Sequence, residues 1–134
     1  MKILFMCRHN MFRSKTAEAY FKKVCKNKKI KEESSGIFPE KALDKFQVKN
    51  AKDLGINLKG RPRGTSLALL KKQDLVVVVA NDIPPEIFEY GWLKGKVKIL
   101  NIPDVKRGDD IKGNIIIIKQ IMLEMDKLEK ELNK

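Results

Sequence analysis

The chain opens Met-Lys-Ile-Leu-Phe-Met and continues Cys7-Arg8-His9-Asn10-Met11-Phe12-Arg13-Ser14. A thiol, Cys7, and a guanidinium, Arg13, stand with five residues between them, and a hydroxyl lies beside the second. These groups can do chemistry on an oxyanion. A thiolate is the nucleophilic form of cysteine, and the planar fork of arginine binds two oxygens of a phosphoryl group at once.

Two elements must place them. The apolar run Ile3 to Met6 reads as a strand that ends at Cys7. Ser14 is a good N-cap for a helix whose apolar face is Ala17, Tyr20, Phe21, Val24 and Cys25, at helical spacing. A loop between strand end and helix start lies at the helix N-terminus. Unpaired N–H groups and the positive end of the dipole attract anions there and favour thiolate. The stretch reads as an oxyanion cradle with a nucleophile at its floor. Taken alone, the spacing does not separate this from a cysteine that closes a buried strand as a small hydrophobe.

The rest of the chain supplies a frame. Lys29 to Glu33 is a weak strand ending in a Ser34-Ser35-Gly36 turn signal, and Pro39 begins a loop. A helix is expected over Asp44 to Leu54, with Phe46, Val48, Ala51 and Leu54 as its apolar stripe and Gly55 as its stop. Thr65 or Ser66 caps a short helix through Leu67, Leu69 and Leu70 to Lys72. Leu75 to Ala80 is apolar and β-branched, the mark of a central parallel strand. Asn81-Asp82 should start another helix, with Pro84 and Pro85 in its first turn and Ile87, Phe88 and Trp92 turned inward. Val97 to Ile102 is the last strand, Asp104 to Asp110 a loop, and Ile111 to Leu132 a helix carrying Ile121, Met122, Met125, Leu128 and Leu132.

Strands alternating with helices imply right-handed parallel βαβ units. The expected fold is a three-layer α/β domain over residues 1–134: a four-stranded parallel open sheet, helices on both faces, and a phosphate-binding loop after the first strand. In such sheets ligands sit beyond the C-terminal strand ends. Cys7 and Asp104 both follow strands in that sense, so a thiol, an arginine, a serine and a carboxylic acid share one edge. That set suits phosphoryl transfer through a cysteinyl-phosphate.

Composition narrows the alternatives. The net charge is +12, yet the lysines are spread along the 134 residues and are not interleaved with aromatics. A solvated basic surface is the better reading than nucleic-acid binding. No apolar run approaches the ~20 residues that cross a bilayer, so no membrane partner is expected, and no signal peptide is read. Two cysteines make no disulfide framework. Cys25 reads as core packing, and a reducing, cytoplasmic setting follows.

With Cys7-x5-Arg13-Ser14 at one end and Ile102-Pro103-Asp104 near the other, the chain resembles the low-molecular-weight protein tyrosine phosphatases, a fold shared with thioredoxin-coupled arsenate reductases. The family loop reads Cys-x-Gly-Asn-x-Cys-Arg-Ser. Lys15-Thr16-Ala17-Glu18-Ala19 is similar to the start of its helix, Ser34-Ser35-Gly36-Ile37 to its Ser-Ala-Gly-Thr segment, and Asp104-Val105 to its acid loop. The resemblance implies Cys7 as nucleophile, Arg13 and the N–H groups of Arg8, His9, Asn10, Met11, Phe12, Arg13 and Ser14 as phosphate binders, Asp104 as acid and then base, and Ser14 as donor to the sulfur. It implies Asn10 as a left-handed brace of the loop, helped by Ser34. No metal or cofactor is implied, because the loop and Arg13 supply the positive charge. Expected ligands are a phosphorylated protein or small aryl phosphate, with phosphate or sulfate as a bound anion.

There are departures from the family pattern. His9 stands where the family has glycine, and Phe12 where it has a second loop cysteine. The acid loop, Asp104-Val105-Lys106-Arg107, lacks the Pro-Tyr that lines a phosphotyrosine slot. Met11 stands where threonine accompanies phosphoarginine specificity. Two alternatives follow: an arsenate reductase-like oxyanion enzyme, for which Cys25 is the one further cysteine, and a non-catalytic basic module binding phosphorylated ligands or nucleic acid.

Overall fold

A computed structural model describes residues 1–133. Four parallel strands form one open sheet: β1 Lys2–Cys7, β2 Lys31–Gly36, β3 Leu75–Val79 and β4 Val97–Leu100, in the order β2-β1-β3-β4. The helices are α1 Arg13–Val24, α2 Lys45–Asp53, α3 Leu67–Lys71 and α4 Ile111–Leu132, with short 3-10 turns at Pro85–Phe88 and Gly91–Leu93.

Alternation along β1 sends its side chains into two cores. Ile3 and Phe5 pack with Val77, Val79, Ala17 and Phe21 of α1, Ala51 of α2, and Ile118, Ile121 and Met125 of α4. Leu4 and Met6 pack on the other face with Val76, Val78, Leu69 and Leu70 of α3, and Leu93. The chain leaves β1 toward β2 on one side and returns to β3 on the other. The direction of winding therefore changes at the C-terminal ends of β1 and β3, where a doubly wound sheet opens a crevice.

Several expectations need correction. Ser34-Ser35-Gly36 is not a turn but the buried end of β2, in register with Phe5, Met6 and Cys7. Phe46 lies exposed rather than on the buried stripe of α2. No α-helix follows Asn81-Asp82. Pro85 holds Pro84 extended, at φ −60° and ψ 127°, because the pyrrolidine ring disfavours the helical region for the residue before it. Trp92 does not point inward but stacks on Tyr90 at the surface, and Leu93 takes the buried place. Ser14 is not the cap of α1. The helix begins at Arg13 after Phe12, with no side-chain cap.

Candidate active site

The loop between β1 and α1 is a cradle because its carbonyls are used on the outside. Past the sheet, the carbonyls of Cys7, Arg8 and His9 accept from the N–H groups of Ile37 (3.3 Å), Phe38 (2.7 Å) and Glu40 (3.1 Å). Among the described hydrogen bonds, no backbone N–H of residues 8–15 donates to a protein acceptor. Those donors, at the positive end of α1, are available to an anion. The absent N-cap has the same consequence, since a capping side chain would occupy them.

Close approach of β2 makes this geometry possible. A Cβ on Gly36 would lie 2.6 Å from the N of Asn10 and 2.8 Å from the carbonyl carbon of His9. Asn10 is the one non-glycine residue with positive φ, at 50°, among those described. Asparagine tolerates this conformation, and its amide is bonded at both ends. Its Oδ1 accepts from the backbone N–H of Arg63 (2.9 Å), and its Nδ2 donates to Ser14 Oγ (2.8 Å).

Cys7 is buried at the end of β1, with Sγ 3.0 Å from Ser14 Oγ. Because Ser14 Oγ accepts from Asn10, its own proton is available to the sulfur. The hydroxyl is thus turned away from the helix end and toward the thiol. Arg13 is almost wholly buried, with 1% of its surface exposed. Its Nη1 donates to the Ile102 carbonyl (2.9 Å), and its Nη2 donates to both carboxylate oxygens of Asp82 (3.0 and 3.1 Å) and lies 3.4 Å from Asp104. A buried guanidinium needs such partners, and here they fix its plane beside the loop.

The fold therefore gathers Cys7, Asn10, Arg13, Ser14 and Asp104 at one edge. Ser34 stands one step removed: its hydroxyl donates to Glu18 (2.6 Å), its carbonyl accepts from Arg63 Nε (2.9 Å), and the Arg63 backbone N–H supplies the bond to Asn10. Arg8 and His9 stand at the rim. The Arg8 guanidinium lies 5.9 Å from the centre of the Phe38 ring, and His9 Nδ1, which must carry a proton to do so, donates to the Phe38 carbonyl (2.8 Å). Arg8, Ile37, Phe38, Asp82, Pro84 and Ile87 line an open cavity of about 270 Å³ beside the loop. Phe12 is buried and anchors the loop's end, and Met11 is half-buried. Among the described residues no cluster of His, Cys, Asp and Glu is arranged to hold a metal ion.

The low molecular weight phosphotyrosine protein phosphatase family model matches residues 2–111. The chain belongs to this family. Its fold is that of known phosphatases. The low-molecular-weight tyrosine phosphatase of T. tengcongensis superposes with a TM-score of 0.83 at 23% identity, covering 98% of this chain and 99% of that one. The YwlE arginine phosphatase of Geobacillus stearothermophilus gives 0.82 at 19%, covering 98% and 92%. The arsenate reductase of Archaeoglobus fulgidus gives 0.73 at 24%, covering 96% and 98%. No curated protein sequence matches the chain.

In this phosphatase the departures from the family loop are accommodated. His9 needs no left-handed backbone, since Asn10 alone carries the positive φ, and its ring fastens the loop to the β2 exit. Asp82 escaped the sequence reading because Asn81-Asp82 looked like a helix cap. The signal was its place just beyond the C-terminal end of β3, the edge that already held Cys7 and Asp104. Arg63 lay in a turn-rich segment with no periodicity to mark it. Lys15, on the first turn of α1, is 7% exposed. Burial lowers its pKa from the usual lysine range, with Glu18 opposing and Arg63 adding to the effect. Glu33 is held below its usual range: burial opposes this, but hydrogen bonds from Gln73 and Lys72 and the nearby Arg63 outweigh it.

Proposed function

We propose that the protein hydrolyses aryl phosphate monoesters, phosphotyrosine included, through a cysteinyl-phosphate. The observation that carries this is the buried Cys7 thiol beneath a loop whose N–H groups have no protein acceptor among the described residues, with the Arg13 guanidinium fixed at its edge. A metaphosphate-like transition state asks for positioning and for charge spread over its equatorial oxygens. Oriented amides and a planar guanidinium provide both without reorganising during the reaction.

In the first step Cys7 Sγ attacks phosphorus, the S–P bond forms and the P–O bond to the leaving group breaks. Asp104 donates its proton to the departing oxygen. In the second, water attacks phosphorus, Asp104 takes its proton, and the S–P bond breaks to return thiolate and free phosphate. Ser14, donating to the sulfur, makes the thiolate a better leaving group. Asp82 holds Arg13 in plane through a two-oxygen contact, which leaves the more loosely held Asp104 as the proton carrier. Ile37, Phe38 and Ile87 give the mouth an apolar wall that suits an aryl group. Thiol chemistry of this kind requires a reducing compartment, in keeping with a cytoplasmic protein. The arsenate-reducing alternative gains nothing from Cys25, which is buried with its thiol bonded to the Asn27 carbonyl.

The test is hydrolysis of para-nitrophenyl phosphate, followed by a panel of phosphotyrosine, phosphoserine and phosphoarginine peptides. The expected result is turnover abolished by Cys7→Ala and a preference for phosphotyrosine. Activity surviving in Cys7→Ala would refute the mechanism, and preference for phosphoserine or phosphoarginine would refute the substrate class.

A further inference from the structure

Parallel strands bring all their N-termini to one pole, and the topology gathers there lysines that lie far apart in sequence. Lys31 at the start of β2 is in register with Lys2 of β1. Two strands over, the Lys96 carbonyl accepts from Val76 N (2.7 Å) at the entry to β4. Lys28 and Lys29 form the turn before β2, and Lys94 precedes the Gly95 turn into β4. Among the described residues none of these six lysines forms an ion pair. The carboxylate in the same row, Asp74, accepts instead from the backbone N–H of Lys2 (2.7 Å). At the rim Tyr90 and Trp92 stack with ring centres 5.3 Å apart, 43% and 36% exposed, and Lys71 Nζ lies 5.7 Å from the Trp92 ring centre.

We propose that this pole, opposite the candidate active site, docks on an anionic lipid bilayer. Lysines with no arginine among them suit a diffuse layer of headgroup charge rather than paired phosphate contacts, and of the six Lys28 also donates its Nζ to the Cys25 carbonyl (3.0 Å). Tryptophan and tyrosine with a lysine alongside are the side chains that settle at headgroup depth. Their rings stack on one another and Lys71 lies against Trp92, which leaves fewer ring faces for nucleic-acid bases. Docking needs no spanning segment, and no described helix is long and apolar enough to cross a membrane. It would hold Cys7, at the far end of β1, roughly 20 Å from the headgroups, given ~3.3 Å per strand residue.

The full-length protein would be mixed with phosphatidylcholine vesicles with and without phosphatidylserine at near-physiological salt. Co-sedimentation and the emission of Trp92, the only tryptophan, report binding. Expected are binding about tenfold tighter or more to the anionic vesicles and a blue shift of Trp92. Both should be lost in a K28Q/K29Q/K31Q/K94Q/K96Q variant that hydrolyses para-nitrophenyl phosphate normally. Absence of binding to anionic vesicles, or equal binding by the variant, overturns the proposal. So does a single-stranded oligonucleotide that displaces the vesicles at matched phosphate charge, which would assign the pole to nucleic acid.

Discussion

Gly36→Ala tests how the cradle is held. The added methyl would meet Asn10 N at 2.6 Å, the His9 carbonyl carbon at 2.8 Å and the Arg8 carbonyl oxygen at 3.0 Å. All three are backbone atoms, so no side chain can rotate aside. Gly36 cannot retreat either: its N–H donates to the Arg63 carbonyl (2.9 Å), and its carbonyl accepts from Thr65 Oγ1 (3.1 Å). Against an ordinary contact of ~3.5 Å, the loop must shift by roughly 0.9 Å. Overpacking of this kind costs about 1–3 kcal/mol, and a displacement near 1 Å costs on the order of 100-fold in rate when it falls on a positioning element. Urea unfolding should show the first loss and kcat/KM on para-nitrophenyl phosphate the second. Gly64→Ala is the control. Gly64 bridges to Gly36, but its added methyl would meet only Pro39, at 3.7 Å, and its stability should stay within about 0.5 kcal/mol of the parent. A Gly36→Ala protein with unchanged urea midpoint and kcat/KM would show that the cradle does not depend on the close approach of β2. Equal damage from Gly64→Ala would show that any glycine lost from this bridge is harmful, whatever space surrounds it.

Asn10→Ala removes both amide bonds and places alanine at positive φ, and should lower stability by about 2–3 kcal/mol; Asn10→Gly restores the φ but not the bonds and should recover part of the stability but little activity. A series of aryl phosphates separates the two acids. Asp104→Asn should slow poor leaving groups most, whereas Asp82→Ala, by loosening Arg13, should lower kcat/KM roughly tenfold whatever the leaving group. Lys15→Met should raise stability near pH 7 by about 1 kcal/mol, because it removes a buried charge that makes no hydrogen bond or ion pair among the described residues and is only partly offset by the nearby Glu18. The folded-state pKa of Lys15 lies below the ordinary lysine value of 10.5. Between the two values the unfolded chain holds the extra proton, so stability rises with pH there and the cost of burial disappears above 10.5. The gain from Lys15→Met, measured by urea unfolding, should accordingly shrink as the pH approaches that value.

The central strands and the long helix were legible because their patterns answer to burial alone, whereas the polar end of β2, Ser34–Gly36, was not. Ile111–Leu132 shows helical spacing, and Leu75–Val79 is apolar on both faces. Two stretches misled for one reason: their polar residues serve the site rather than local structure. Ser14 looks like a cap, but its hydroxyl goes to Cys7, and the uncapped helix end is what exposes the cradle. Asp82 looks like a cap as well, but its carboxylate goes to Arg13 across the sheet edge. Arg63 and Gly36 could not be read as parts of the site, because their contribution is a backbone approach to Asn10 that exists only once β2 and the 61–65 segment lie side by side.

In the proposed mechanism Cys7 carries the phosphoryl group. Rapid quenching during turnover of a good aryl phosphate, followed by peptide mass analysis, measures this directly. A phosphoryl group is expected on the Cys7 peptide, accumulating most in Asp104→Asn, where water is poorly activated, and none in Cys7→Ala. Steady turnover with no phosphorylated Cys7 under those conditions, or a phosphoryl group on another residue, would contradict it.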